Sequence, residues 1–272
     1  MSQRPHSRKH LRQDRIIALL RANPTVRIAE LAREFEVSTE TVRRDLDELS
    51  ETGAVNRTYG GAARSSLGHE AAVNERLLEH VSERESIGRY ASTLVEPGEL
   101  VMIDGGSTTI HFARQLAVVG RDLTVLTNSL GVAAAVSQNP SSKVVICPGD
   151  YHPYEGIVTG PETIAFLERF FVDKTFIGAS SLTEAGPSEA HSGAAWVKRR
   201  MLEQAKQRCL LLDASKFGAI RHELICPLTN IDELVTDRKP SDWLYSALHQ
   251  ASVTTHIASV TAEVGEETAG DR

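Results

Sequence analysis

A chain of 272 residues has room for one or two domains and for a core that needs no staples. Its 41% hydrophobic and 24% charged residues exclude wholesale disorder and fibrous classes, and no apolar run approaches the ~20 residues that cross a bilayer. The net charge of −6 alone argues against nucleic acid, yet residues 1–64 hold twelve Lys/Arg against nine Asp/Glu, net +3, which leaves −9 to the rest: a basic module joined to an acidic one.

The first sixteen residues form a basic arm with Arg4, Arg8, Lys9, Arg12 and Arg15, and too few apolar residues follow for a signal peptide. Residues 12–64 read as a small helical unit ending in a hairpin. Ile28, Leu31, Ala32 and Phe35 fall at i, i+3, i+4 and i+7, a helical stripe. Val37 fills a turn, Ser38 suits the N-cap of a second helix, and Val42, Leu46 and Leu49 face inward from it before Gly53 stops it. Two short helices about a tight turn describe a helix-turn-helix. The second helix offers Ser38, Thr39, Thr41, Arg43 and Arg44 near its N-terminal half, the half that enters a major groove of double-stranded DNA. Ala54–Tyr59 can pair into a wing closed near Gly60 and Gly61, bringing Arg57 to the DNA backbone or minor groove. The same residues also read as a solvated helical hairpin, with Arg43–Asp47 and Arg44–Glu48 as surface ion pairs.

Residues 65–86 form a connector that becomes charged and helical from Glu70 to Arg89, a dimerisation helix or a hinge. From 87 to 257, continuous apolar runs at 100–103, 123–126, 143–146, 175–177, 209–212 and, more weakly, 234–236 and 252–254 alternate with helical stretches at 108–117, 129–137, 161–171, 192–207 and 241–250. That alternation predicts an α/β domain with a mostly parallel sheet, its strands buried on both faces. Trp196 and Trp243 are expected in the core, and residues 258–272 as a disordered tail.

Three loops in this region carry matching chemistry. Asp104-Gly105-Gly106-Ser107-Thr108-Thr109 joins a strand to a helix, where two glycines allow close approach and hydroxyls and amides can hold an anion. It is neither a P-loop nor GxGxxG. Thr127-Asn128-Ser129 and Asp213-Ala214-Ser215-Lys216-Phe217-Gly218 also follow strands, and ligands of open α/β sheets bind beyond strand carboxyl ends. Lys216 would meet a phosphate, and Asp104 or Asp213 sugar hydroxyls. Lys198 reads by itself as a surface residue of its helix. Each loop also has a bland role, capping a helix or a turn.

Val37-Ser38-Thr39-Glu40-Thr41-Val42-Arg43-Arg44-Asp45-Leu46, with Gly53, Arg57 and Gly60-Gly61-Ala62, resembles the DeoR family of bacterial transcription regulators. The later order of Asp104–Thr109, Thr127–Ser129, Lys198 to Met201, Asp213–Gly218 and Thr236-Asp237 resembles that family's sensor domain, which is similar to sugar-phosphate isomerases. The resemblance spans about residues 12–255. It implies an N-terminal winged helix-turn-helix plus a larger α/β sensor domain, in a cytoplasmic homodimer or homotetramer. It also implies a repressor of a carbohydrate catabolic operon that binds operator DNA and a phosphorylated sugar effector, and places Gly149 and Lys198 at the effector site. Three departures stand out. Pro148-Gly149-Asp150 replaces a double glycine, Ser192-Gly193-Ala194 replaces acidic residues, and Glu36 occupies a turn position where Gly or Asn is usual. A left-handed Glu36 would be strained by about 1 kcal/mol, so a differently built turn is expected. The loop from Leu182 to His191 is expected to contact the ligand.

The ten histidines contain neither HxH nor HExxH, and the three cysteines lie far apart without a CxxC; neither metal nor cofactor is expected, and thiols are expected to stay reduced. No Gly-x-Ser-x-Gly elbow supports a hydrolase. The alternative is an enzyme, a sugar-phosphate isomerase with an accessory helical module, in which Asp104, Asp213 and Lys216 would serve as base and electrophile.

Overall fold

The computed structural model describes residues 9, 12–13, 15–16, 19, 25–51, 55–58, 61–64, 72–120, 122–219 and 221–259. The chain divides into two compact units, Met1–Ala71 and Ala72–Arg272.

In the first unit the described residues between 9 and 19 are helical. They are followed by β1 (Thr25–Arg27), α1 (Ile28–Glu34), α2 (Thr39–Glu51), β2 (Val55–Thr58) and β3 (Gly61–Arg64). The helical stripe packs as its spacing predicts: Ile16, Ile28, Leu31, Ala32, Val42, Leu46 and Leu49 are buried in one cluster, with Phe35 and Val37 against it. Ser38 caps α2, its Oγ accepting from the Thr41 amide at 3.1 Å. The turn between the helices is not built differently, because Glu36 takes a left-handed φ of 53°. The wing forms, β2 pairing antiparallel with β3, and β1 adds a third strand against β3. Gly61 is required there, since a Cβ would lie 2.1 Å from the Val26 carbonyl oxygen.

The second unit opens on a short helix, α3 (Val73–Arg76), and then α4 (Val81–Thr93). Left-handed His80, φ 50°, separates them, so the expected connector helix is not continuous. Then follow β4 (Leu100–Ile103), α5 (Ser107–Val119), β5 (Thr124–Thr127), α6 (Leu130–Val136), β6 (Lys143–Ile146), β7 (Asp150–His152), β8 (Ile157–Thr159), α7 (Pro161–Leu167) and β9 (Val172–Ile177). The unit continues with β10 (Ser181–Thr183), β11 (Gly186–Glu189), α8 (Ser192–Glu203), β12 (Ala205–Leu211), β13 (Glu223–Leu224), β14 (Glu233–Thr236), α9 (Asp242–Gln250) and β15 (Thr254–Ile257).

Seven strands make a parallel sheet in the order β15-β14-β12-β9-β4-β5-β6. Alternate residues feed opposite cores: Val101, Ile103, Phe176 and Leu211 pack beneath α4, α5 and α6, while Met102, Ile177, Leu210 and Leu212 pack on the other face. The order reverses between β4 and β9. From β4 the chain winds outward to β6, then returns to lay β9 on β4's other side and winds outward again to β15.

Some expectations give way. The segment Leu182–His191 contains a hairpin, β10 with β11, extended by β13, rather than a loop. The helices expected to run to 171 and 207 end at Leu167 and Glu203: residues 168–171 turn the chain into β9, and β12 takes residues from Ala205 on. Trp196 and Trp243 are about half exposed rather than core residues, the Arg199 guanidinium lying 4.7 Å from the Trp196 ring centroid. Cys147, Cys209 and Cys226 are free, buried thiols, and burial pushes Cys147 and Cys226 up to about 12. Among the described residues, no helix is long and apolar enough to cross a membrane.

Candidate nucleic-acid interface and anion cleft

In the first unit, Ser38, Thr39, Arg43 and Arg44 are exposed at the start of α2. Thr41 is half-buried, its hydroxyl 2.9 Å from that of Ser38. The two arginines pair backward with Glu40, at 3.5 and 3.7 Å, rather than forward with Asp47 and Glu48. Exposed pairs of this kind contribute little, so a phosphate can displace Glu40. The basic arm is partly committed: Lys9 meets Glu48 at 2.6 Å, and Arg12 forks onto Asp45 with bonds of 2.5 and 3.0 Å. Arg12 therefore anchors the first helix to α2. Arg57 pairs with Ala62 in the wing ladder, and Gly60 lies outside the described residues.

In the second unit a narrow cleft lies where the strand order reverses, the point at which ligands of such sheets bind. Gly105, Gly106, Ser107 and Thr108 line it from the turn after β4; Gly178, Ala179 and Ser180 follow β9; Lys216 follows β12. A Cβ at Gly105 would sit 2.1 Å from Ile157 Cγ2, so only glycine lets β8 close over this turn. The amides opening α5, a thirteen-residue helix, suit an anion.

The cleft's polar floor is buried. Lys198 lines it at 4% exposure, so its expected place on the surface is wrong; α8 packs on the sheet and turns this residue inward. Its ammonium donates to Glu189 and lies 3.2 Å from Asp104 Oδ2, which also accepts from the Gly178 amide at 3.4 Å. Burial pushes the Asp104 carboxyl up to about 6 against the pull of Lys198. Burial pulls Lys198 down, but Asp104 and Glu189 outweigh it and hold the amine above its ordinary range. Glu189 also accepts from the Ser180 hydroxyl.

Several expected residues do not reach the cleft. Thr109 folds its hydroxyl onto the Gly106 carbonyl at 3.0 Å. Thr127 accepts from the Ser129 amide, Ser129 caps α6, and Asn128 donates to the Val158 carbonyl at 3.1 Å while its own carbonyl accepts from the Val158 amide at 2.7 Å. This trio fastens β8 rather than lining the cleft. Gly149 packs against Thr159 and Thr163. Asp213 faces away: it forms a buried pair with Arg84 at 3.0 Å and accepts from Ser215. Sequence reasoning missed Arg76 and Glu155, which line the cleft and pair with each other from positions 79 residues apart; no local pattern signals such a pair.

A larger groove among α3, α5, α6 and β7 is lined by polar and apolar surface in nearly equal parts, with Arg114 the one charged residue lining it, and lacks the cleft's paired lysines and carboxylate.

Residues 12–66 match the family described as the DeoR-like helix-turn-helix domain, and residues 79–238 match the DeoR C terminal sensor domain. The chain is 33% identical over 233 residues to the HTH-type transcriptional repressor GlcR of Bacillus subtilis, covering 84% of this chain and 90% of that one. It is 29% identical over 230 residues to the glycerol-3-phosphate regulon repressor of Escherichia coli, covering 84% and 91%. Ribose 5-phosphate isomerase A from Methanocaldococcus jannaschii is similar at 19% identity over 53% of this chain and 55% of that one, with a TM-score of only 0.38.

Proposed function

The chain belongs to the DeoR family of transcription regulators, and from that premise we propose that it represses a carbohydrate catabolic operon under control of a phosphorylated sugar. It is a DNA-binding regulator; the effector, the operon and the sign of regulation are our reading. One observation carries that reading: a cleft with helix-opening amides, Lys198 and Lys216 lies at the strand-order reversal of a chain that also holds a helix-turn-helix. Backbone amides and ammonium groups fit a phosphate, while Glu189 and Asp104 fit sugar hydroxyls.

In this reading α2 enters the major groove with Thr39, Arg43 and Arg44, and the wing carries Arg57 to the backbone. Two half-sites multiply a weak single contact, so the chain acts as a homodimer or homotetramer, in the cytoplasm. The cleft binds without turnover. The rival isomerase reading, cast on Asp104, Asp213 and Lys216, keeps Asp104, now clustered with Lys198 and Glu189, but its other carboxylate, Asp213, is held by Arg84.

Fluorescence anisotropy on DNA upstream of the chain's own gene, at two salt concentrations and with a sugar-phosphate panel, tests the proposal. Arg44→Ala is expected to abolish operator binding and leave effector binding intact; Lys216→Ala is expected to keep operator binding and blunt the response. Turnover of a sugar phosphate without DNA binding would replace this reading with the isomerase.

A further inference from the structure

Arg76 reaches the anion cleft from α3, whose first residue is the second after the end of the DNA-binding unit in the chain. Its guanidinium pairs with Glu155 in the turn between β7 and β8. The two partners differ in what they can do without each other. Arg76 is 8% exposed, so its cation needs an anion at hand; Glu155 sits on a turn with more access to water. An arginine fork also matches a phosphate as well as it matches a carboxylate. Lys198, by contrast, already holds both Asp104 and Glu189.

The attachments of α3 are arranged in two sets. Its C-terminal end is tied to the sheet domain: Arg84 donates to the Arg76 and Glu79 carbonyls while gripping Asp213, and His111 Nε2 lies 3.4 Å from the Leu77 carbonyl. The other set holds α3 to the β7–β8 turn through the Val73 amide on the Tyr154 carbonyl, 3.0 Å, and through Arg76 on Glu155. A change of partner at Arg76, the last residue of α3, therefore breaks one of these two holds on the β7–β8 turn while the Arg84 bonds to the Arg76 and Glu79 carbonyls stay in place.

We propose that Arg76 is a phosphate ligand of this cleft and its signalling residue: the effector's phosphate takes Arg76 from Glu155, and α3 passes that exchange to the chain leading to the helix-turn-helix. The inference rests on the cleft being an effector site, and adds how that site is read out. The exchange acts only if the ligand prefers the state in which Arg76 has left Glu155.

The test uses the full chain, with inorganic phosphate and glycerol 3-phosphate as probes, calorimetry for binding and anisotropy for the DNA response. Glu155→Gln removes the competing carboxylate and is expected to tighten probe binding about tenfold. Arg76→Gln is expected to weaken it by about tenfold or more and, because the pair with Glu155 is already broken, to hold DNA affinity near the value the wild type reaches with probe, so that the probe no longer changes it. Opposite signs are the signature of exchange, since a merely structural ion pair would lose binding in both variants, and that result would overturn the proposal. Probe binding that is equal in the wild type and both variants would overturn the role of Arg76 alone. A wild type that binds neither probe would remove the effector-site reading and this inference with it.

Discussion

Arg84 and Asp213, each with a side chain 1% exposed, form the ion pair on which α4 and the loop after β12 depend. Burial would push the Asp213 carboxyl up, but Arg84 and the Ser215 hydroxyl hold it below its ordinary value of 3.8. A depressed carboxylate contributes stability that is fully present above its unfolded value and is lost as pH falls through the folded one. Asp213→Asn leaves a buried guanidinium uncompensated and is expected to cost about 3–5 kcal/mol at pH 7, measured by urea denaturation. Below about pH 4 the wild type loses the same contribution, so the gap between the two proteins should narrow. Equal stability at pH 7 would mean that the pair does not hold α4. The residue roles were only partly legible beforehand. Asp213 stood in a loop motif that suited sugar binding equally well, and nothing in sequence placed Arg84 opposite it. Lys198 gave no sign of burial because its helix has charged neighbours, Arg199 and Arg200, on either side of the buried stripe.

At the scale of elements, the turn of the helix-turn-helix retains a strained residue. Glu36 is exposed and left-handed, a conformation that costs a side chain about 1 kcal/mol and glycine far less. Glu36→Gly is expected to slow amide hydrogen exchange across α2 about fivefold, the equivalent of about 1 kcal/mol, without changing operator affinity. Faster exchange would show that contacts of the Glu36 side chain outweigh the strain. Elements with a strong local signal were readable: Ile28, Leu31 and Ala32 announced α1, and the apolar runs at 100–103 and 143–146 coincide with β4 and β6. Those without one were not. β1 is three residues after Asn23-Pro24, and β11 is Gly-Pro-Ser-Glu; both exist because partner strands elsewhere in the chain supply their hydrogen bonds. The β7–β8 hairpin, its strands only three residues each, carries Glu155, and so half of the Arg76 pair was invisible.

At the scale of the molecule, the helix-turn-helix buries its own cluster around Leu31 and Val42, separate from the three clusters that flank the parallel sheet. Two calorimetric transitions are therefore expected, operator DNA raising one and glycerol 3-phosphate the other. A single transition raised by both would show that the units unfold together. The sheet's winding also sets an order of events during synthesis. β4 gains its second neighbour only when β9 has been made, about seventy residues later, and β9 in turn waits for β12. A growing chain thus completes its DNA-binding head while only half of the sheet has been made and the apolar edge of β4 is unpaired, the kind of edge on which nascent chains aggregate. The DNA-binding unit leaves the ribosome before the sheet is complete, and a chain halted after β6 would carry that unit without the β9 and β12 loops that finish the cleft.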